Sequence, residues 1–327
     1  MKTPRRSLIG SMFGENILLF TPLLIWYLQH GLVVTKISQC VEYEPKPCFK
    51  SFGENVSNAR RAGDVDPSKS IIADTMKLIG NSSYGKTITN KLKHRNVKIC
   101  DERKAEKHIN NILYRDLNPI SENCYEVEMA KQKIRMDLPV QIGHAVYQLA
   151  KLRMLEFYYD FLVKYIDPSD FQLCEMDTDS AYMAISAYSI DDLIKPHLRK
   201  EYEMDKCNWF PRNDTAENAK YDKRTPGLFK VEWEGDGIVA LCSKTYYCFG
   251  GKDKFSCKGI SKKQNDITKD VYLKVLRSRV AAGGVNTGFR VVGNGVSTYS
   301  QARNAFTYFY PKRKVLDDNV STTYLDI

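Results

Sequence analysis

Two aspartates stand one residue apart in the segment Asp177-Thr178-Asp179-Ser180. The residues on either side, 171–176 and 181–185, form short β-like runs, so the pattern predicts a hairpin with both carboxylates at its tip. Carboxylate oxygens are hard ligands for Mg²⁺, which takes one or two of them together with substrate phosphates. The turn is therefore a candidate metal site, although acidic turns are also common on protein surfaces and in sugar-nucleotide transferases.

A second group of chemistry-bearing side chains lies in the segment KLIGNSSYG, residues 77–85. Helical spacing places Lys77, Asn81 and Tyr84 on one face. A lysine suits a phosphate group as a point charge, and an aromatic ring can contact any base. The alternative is a helix with a solvated lysine and a glycine that ends it.

A third segment, Lys244-Thr245-Tyr246, pairs a cation with an aromatic ring in a strand-like region. Three residues alone indicate little, because a strand with one lysine is common. The order and separation of the three segments along the chain carry more information than this segment by itself.

Several elements must position these segments. The sequence predicts a helix at 21–32, a β-like run at 32–43, a helix that begins at Asp66-Pro67, a charged helix at 101–111, a long helix from Pro139 to Asp167-Pro168, and strand-like residues over 226–249. Helices, strands and further helices follow each other without regular βαβ units, which is typical of an α+β fold.

Charge and cysteine usage restrict the class of protein. The formal net charge is +10 with a pI of about 9.0, which favours a polyanionic partner such as nucleic acid. The nine cysteines form no CxxC pair, so we expect reduced thiols in an intracellular protein. Polar residues interrupt the apolar stretch 17–34, which we interpret as a buried helix of a soluble protein and not as a membrane segment.

The three segments match motif B, motif C and the KxY motif of family B DNA polymerases, in the order in which that family carries them. The chain resembles the C-terminal polymerase portion of a protein-primed member of this family. The resemblance covers most of the chain. Within the family, the chain is similar to the polymerases of Maverick/Polinton transposons and related viral and plasmid elements. It extends to the segments TPLLIWYLQHGL (21–32), ARRAG (59–63), PGLFKVEW (226–233) and FTYFYPKRKV (306–315).

The resemblance implies a role for each candidate residue. Asp179 would be the direct ligand of the two catalytic Mg²⁺ ions, and Asp177 would be a supporting carboxylate close to them. Nucleotide binding would fall to Lys77, Asn81 and Tyr84. The DNA-binding set would be Lys244, Tyr246, Ser82, Gly85 and Arg61, where Arg61 is equally well interpreted as a solvated charge. Primer–template DNA, dNTPs and a terminal protein that primes synthesis would be the partners.

The resemblance also implies a right-hand architecture. Residues 1–90 would contain the fingers with adjoining palm, residues 91–250 the palm, and residues 251–327 a basic thumb that follows duplex phosphates. This division places motif B in the first part and both motif C and KxY in the second.

One expected component is missing from the sequence. Family members carry motif A, an aspartate-bearing segment upstream of motif B, and this chain has no aspartate before Asp64. Only Glu15, Glu42, Glu44 and Glu54 are available there, and no exonuclease domain precedes them. We therefore expect an incomplete palm in a truncated polymerase, with little or no nucleotidyl transfer but some DNA affinity.

Two other functions remain open from the sequence. The first is a non-catalytic DNA-binding remnant of a transposon polymerase, which shares every residue with the polymerase interpretation. The second is a metal-dependent glycosyltransferase that uses Asp177 and Asp179. The glycosyltransferase should also show a glycine-rich turn between a strand and a helix, and none is found.

Overall fold

The computed structural model describes residues 16–292, 295–308, 314, 315, 317, 322 and 323. The chain divides into two compact units, Met1–Ala73 with Tyr147–Asn286 and Gln301–Ile327, and Asp74–Val146 with Thr287–Ser300. Each unit is described by itself. Glu15 and residues 309–313, which belong to segments discussed above, lie outside the described residues. The division into fingers, palm and thumb stays a prediction.

The helices follow one another along most of the described chain. In order they are α1 Thr21–Gln29, α2 Lys50–Val65, α3 Ser70–Thr87, α4 Glu102–Ile109, α5 Val140–Leu155, α6 Val163–Tyr165, α7 Arg199–Trp209, α8 Ala216–Asp222 and α9 Lys269–Ser278. A π-helical stretch, Glu156–Leu162, joins α5 to α6. Among the described residues, no helix has the length and apolar character needed to cross a bilayer.

The strands form small sheets. They are β1 Arg95–Cys100, β2 Tyr114–Ser121, β3 Cys124–Ala130, β4 Phe171–Asp177, β5 Ser180–Ile185, β6 Gly237–Cys242, β7 Thr245–Phe249, β8 Lys254–Ser256, β9 Ala282–Val292, β10 Gly295–Phe306, β11 Lys314–Val315 and β12 Thr322–Thr323. The sheets are β1-β3-β2, β4-β5, β6-β7-β8, β9-β10 and β11-β12. The predicted α+β class is confirmed.

An aromatic core in the first unit supports the β4–β5 hairpin. Its buried members are Phe157, Phe161, Leu162, Tyr165, Ile166, Phe171, Ile194, Tyr202 and Trp209. Most of them come from the predicted long helix, which ends at Tyr165, just before the predicted boundary at Asp167. The Asp167 carboxylate accepts a hydrogen bond from the Ser169 N–H at 3.0 Å and caps the 3-10 turn that follows. Because β4 begins a few residues later with the buried Phe171, this core determines where the hairpin starts.

A second core in the same unit supports strands β6 and β7. Its buried members are Val239, Leu241, Tyr247, Ile260, Ile267, Tyr272, Val275 and Phe306. Helix α9 packs against both strands and contributes Tyr272 and Val275. The turn between β6 and β7, which contains Lys244, therefore projects from a packed element.

The second unit contains β1-β3-β2, α4 and most of α3. Asp101 caps α4 by accepting a hydrogen bond from the Lys104 N–H at 2.9 Å, as the predicted charged helix requires. Gly143 of α5 lies so close to α3 that an added Cβ would overlap Thr87 and Ile88. The close approach of α5 to the end of α3 therefore requires a glycine at this position.

The predicted helix start at Asp66-Pro67 is confirmed. Asp66 accepts a hydrogen bond from the Ser68 N–H at 3.0 Å, and a single 3-10 turn leads into α3. The alternative in which Gly85 ends the helix is wrong, because α3 continues to Thr87.

One strand prediction is wrong and another is right only in part. Residues 32–47 contain no strand. Of the strand-like residues 226–249, those from Gly237 onward form β6 and β7, while residues 226–236 contain no strand. In the first segment Val33, Ile37 and Val41 are 82%, 73% and 68% exposed. A β-like composition forms a strand only where a neighbouring strand supplies hydrogen bonds and packing, and neither region pairs with one.

Candidate functional site

The acidic turn lies at the tip of the β4–β5 hairpin, as predicted. The two strands pair antiparallel with Asp177 opposite Ser180, so Thr178 and Asp179 form a two-residue loop. Thr178 has φ +36°, an uncommon value for a β-branched residue, and its hydroxyl donates to Asp177 Oδ1 at 3.2 Å. Asp179 is exposed and Asp177 is half-buried. Both carboxylates are therefore at least partly accessible from solvent.

The Lys244-Thr245-Tyr246 segment meets this hairpin. Lys244 Nζ lies 3.0 Å from Asp177 Oδ1. The Lys244 N–H donates to Glu175 Oε1 at 3.1 Å, across 69 positions of sequence. Two segments that the sequence analysis singled out separately are thus joined through the side chain and the backbone of one lysine.

A pair of tyrosines forms a further link between the same two hairpins. The hydroxyls of Tyr182 on β5 and Tyr246 on β7 are 2.8 Å apart, and their ring centroids are 4.8 Å apart. Burial is the main cause that raises the pKa of both phenols. Both tyrosines are therefore neutral at physiological pH and exchange one hydrogen bond.

Glu175 is the buried carboxylate of the site, with a relative exposure of 8%. Burial raises the pKa of its carboxyl group above the ordinary range; the Lys244 N–H acts in the opposite direction and nearby Asp177 in the same direction as burial. A buried carboxylate in the middle of β4 thus accepts a hydrogen bond from the turn that contains Lys244.

The motif B residues occupy a different setting, in the second unit. Lys77, Asn81 and Ser82 are exposed on α3, and Tyr84 and Gly85 are half-buried. No residue of α3 is buried. The Ser82 hydroxyl donates to the Leu78 carbonyl at 2.6 Å, which is a hydrogen bond within the helix. The helix therefore presents the predicted nucleotide-binding side chains to solvent.

Arg61 on α2 is engaged within the first unit. Its guanidinium donates to the Tyr221 carbonyl at 3.1 Å and to Asn58 Oδ1 at 2.9 Å, and it lies 3.8 Å from the centroid of the Tyr221 ring. These contacts attach α2 to α8. The predicted phosphate contact of Arg61 stays a prediction beside this structural role.

The donor set at the acidic turn agrees in type with Mg²⁺. Asp177 and Asp179 supply two carboxylates, a number that Mg²⁺ takes when substrate phosphates and water complete its coordination. Among the described residues, no group of three or more His, Cys, Asp or Glu side chains is arranged to hold a metal ion. The turn could therefore hold such an ion only with oxygen atoms from elsewhere.

Two residues of this site were missed by the sequence analysis, Glu175 and Tyr182. Glu175 could have been found as the charged residue inside the β-like run 171–176, whose other residues are uncharged. For Tyr182, two positions after Ser180, the sequence holds no such signal, because a tyrosine in a strand is ordinary.

Comparison with known proteins adds no assignment. No protein-family model, no curated protein and no solved structure matches this chain.

Proposed function

We propose that this chain is the polymerase part of a protein-primed family B DNA polymerase, which it resembles in motifs B, C and KxY. The observation that carries the proposal is the junction of the acidic turn with the Lys244-Thr245-Tyr246 segment. Lys244 Nζ lies 3.0 Å from Asp177, and the Tyr182 and Tyr246 hydroxyls are 2.8 Å apart. A metal-binding carboxylate and a primer-binding lysine have to be neighbours in an enzyme that extends a primer terminus.

The Lys244–Asp177 ion pair can open for ligands. The lysine side chain is 50% exposed and the aspartate side chain 30% exposed. Ion pairs in such surroundings contribute only about 0–1 kcal/mol, so a DNA phosphate can compete for the ammonium group and a cation for the carboxylate. The pair keeps each group in place until its ligand arrives.

The proposed roles follow the resemblance. Asp177 and Asp179 would hold Mg²⁺, which when bound supplies activation of the primer 3′-hydroxyl and neutralisation of the leaving pyrophosphate. Lys244 and Tyr246 would bind the primer strand, and Lys77, Asn81 and Tyr84 the incoming dNTP. Ser82, Gly85 and Arg61 would line the DNA path.

The proposed architecture is the incomplete right hand of this family, with fingers and adjoining palm in residues 1–90, palm in 91–250 and thumb in 251–327. The confirmed α+β class supports it, as does the β4–β5 hairpin that carries the acidic turn. A terminal protein would be the primer. The formal net charge of +10 supports a DNA partner.

Primer extension tests the proposal. The purified chain is incubated with Mg²⁺, dNTPs and a short primer–template, beside Asp179→Asn and a matched control, Asp266→Asn, at an exposed aspartate of the same unit. We expect salt-dependent binding that prefers a recessed 3′ end over a blunt duplex, with extension weak or absent because two carboxylates form a poor two-metal site. Absence of both binding and extension would sink the proposal.

The same experiment separates the alternatives. Extension that Asp179→Asn abolishes and Asp266→Asn preserves would mean that another carboxylate completes the site. DNA binding with weak extension that Asp179→Asn abolishes would fit the polymerase fragment, whereas DNA binding that neither Mg²⁺ nor Asp179→Asn changes, with no extension at all, would favour the DNA-binding remnant. Tight binding of a UDP-sugar, with no affinity for DNA, would favour the glycosyltransferase.

A further inference from the structure

Glu175 has no role in the proposed chemistry, yet it is the buried carboxylate beside the acidic turn. Only 8% of its surface is exposed. A buried carboxylate is costly unless hydrogen bonds compensate for its lost hydration. Its position on β4 therefore needs a reason beyond packing.

The contact that Glu175 makes is to backbone. Its Oε1 accepts the Lys244 N–H at 3.1 Å, while the ammonium group of Lys244 lies 3.0 Å from Asp177. Glu175 and Asp177 stand two positions apart on the same strand. They contact the two ends of one lysine: Asp177 pairs with its ammonium group, and Glu175 binds its backbone N–H.

The backbone of Lys244 adopts a conformation that needs support. Its φ is +64°, in the left-handed region that a lysine seldom occupies. Such a residue persists only where its surroundings hold it. Thr245, the next residue, is 1% exposed and begins β7, so the turn is fixed on one side by the strand. The hydrogen bond to Glu175 fixes it on the other.

We propose that Glu175 is a positioning residue, whose buried side chain holds Lys244 in its left-handed backbone conformation and so directs the Lys244 ammonium group to the acidic turn. The importance of this for primer binding rests on the proposed function. The conformational part of the inference does not, because it concerns contacts inside the chain.

Two variants of Glu175 separate the effect of side-chain length from the effect of charge. Glu175→Gln keeps the acceptor oxygen at the same distance and loses the charge. Glu175→Asp keeps the charge and shortens the side chain by one methylene group. Amide hydrogen exchange of Lys244, measured without DNA, reports whether the hydrogen bond is present.

We expect Glu175→Asp to accelerate exchange of the Lys244 amide by about tenfold, because a hydrogen bond to this acceptor is lost, and Glu175→Gln to change it by less than about threefold. The Tyr182 amide serves as the internal reference for an intact β5 strand. Equal exchange of the Lys244 amide in all three proteins would overturn the proposal. So would an amide that stays protected in Glu175→Asp, which keeps the charge, and loses protection in Glu175→Gln, which keeps the side-chain length.

A second measurement addresses DNA. The slope of log Kd against log salt concentration is compared for the wild type, Glu175→Asp and Lys244→Met. We expect both variants to lose about one unit of slope, with no further loss in the double variant, because both act on one phosphate contact. Additive losses would contradict a role through Lys244. If the wild type binds no DNA, the proposed function fails, while the exchange measurement still decides the positioning role.

Discussion

The motif B helix carries the longer sequence motif but few tertiary contacts. The acidic-turn site carries shorter motifs but more tertiary contacts. Residues 77–85 carry the longest motif of the chain, yet α3, on which they lie, has no buried residue. Lys244-Thr245-Tyr246 is a match of only three residues, yet its lysine contacts Asp177 and Glu175 and its tyrosine contacts Tyr182.

The difference shows what packing can and cannot explain. Thr245 is buried and Tyr246 is hydrogen-bonded, so folding alone accounts for part of their identity. Lys77 and Asn81 are exposed on α3, and packing places no demand on them. A polar motif on an exposed helix face therefore points more directly to a ligand than a polar residue inside a contact network does.

The largest effect on the free energy of unfolding is expected from a substitution in the aromatic core that supports the β4–β5 hairpin. Phe161 is completely buried, so Phe161→Ala should lower the free energy of unfolding by about 3–5 kcal/mol. Leu78 on α3 is 67% exposed, so Leu78→Ala should change it by less than about 1 kcal/mol. Urea unfolding monitored by circular dichroism measures both values. Equal losses would mean that the exposed face of α3 is covered in solution and would break the comparison.

An intermediate effect is expected at the Arg212–Asp222 ion pair of the first unit. Asp222 is 5% exposed, and hydrogen bonds from the Arg212 guanidinium are the main cause that holds the pKa of its carboxyl below the ordinary range. A lowered pKa stabilises the fold above the unfolded value of about 3.9, and this contribution is lost as the pH falls through the folded pKa.

Asp222→Asn should therefore lower Tm at pH 7 and at pH 5 by the same amount, and the difference from the wild type should shrink below about pH 4. Asp74→Asn, which changes an exposed side chain of α3, is the matched control. Thermal unfolding across this pH range measures both. A difference that stays constant down to pH 2.5 would exclude the ion pair as its cause.

The smallest effect on stability is expected at the two lysines of the comparison, Lys244 and Lys77, and only Lys244 is expected to affect the salt dependence of DNA binding. Lys244→Met and Lys77→Met should each change the free energy of unfolding by less than about 1 kcal/mol, because both side chains are exposed. Lys244→Met should reduce the salt slope of primer–template binding by about one unit, while Lys77→Met should leave it unchanged, since its proposed ligand is the dNTP. Fluorescence anisotropy measures the slopes. A loss of slope in Lys77→Met alone would reverse the proposed roles.

Much of the local structure was predictable. Asp66, Asp101 and Asp167 were readable as helix boundaries, because a short acidic side chain accepts hydrogen bonds from backbone N–H groups within the first turn. The hairpin at residues 171–185 followed from two short β-like runs on either side of an acidic turn. These features depend on neighbours in sequence, which is why a single sequence reveals them.

The wrong predictions concern residues whose state depends on distant partners. Residues 32–43 have the composition of a strand, but no strand pairs with them in the structure. Gly85 has the type of a helix terminator, but α3 passes through it, and residues beyond it pack beside Gly143 of α5. Composition states what a segment can adopt, and the presence or absence of a partner decides what it does adopt.

The amino-acid sequence by itself determined the α+β class, most helix boundaries, the acidic turn at a hairpin tip and the two separate motifs around it, because backbone geometry, capping and hydrophobic period act over a few residues. Only the tertiary structure decided that Lys244 contacts Asp177, that Tyr182 pairs with Tyr246 and that buried Glu175 holds the Lys244 turn. These contacts join positions 64 to 69 apart in the chain, and they form because two hydrophobic cores place two independent hairpins side by side.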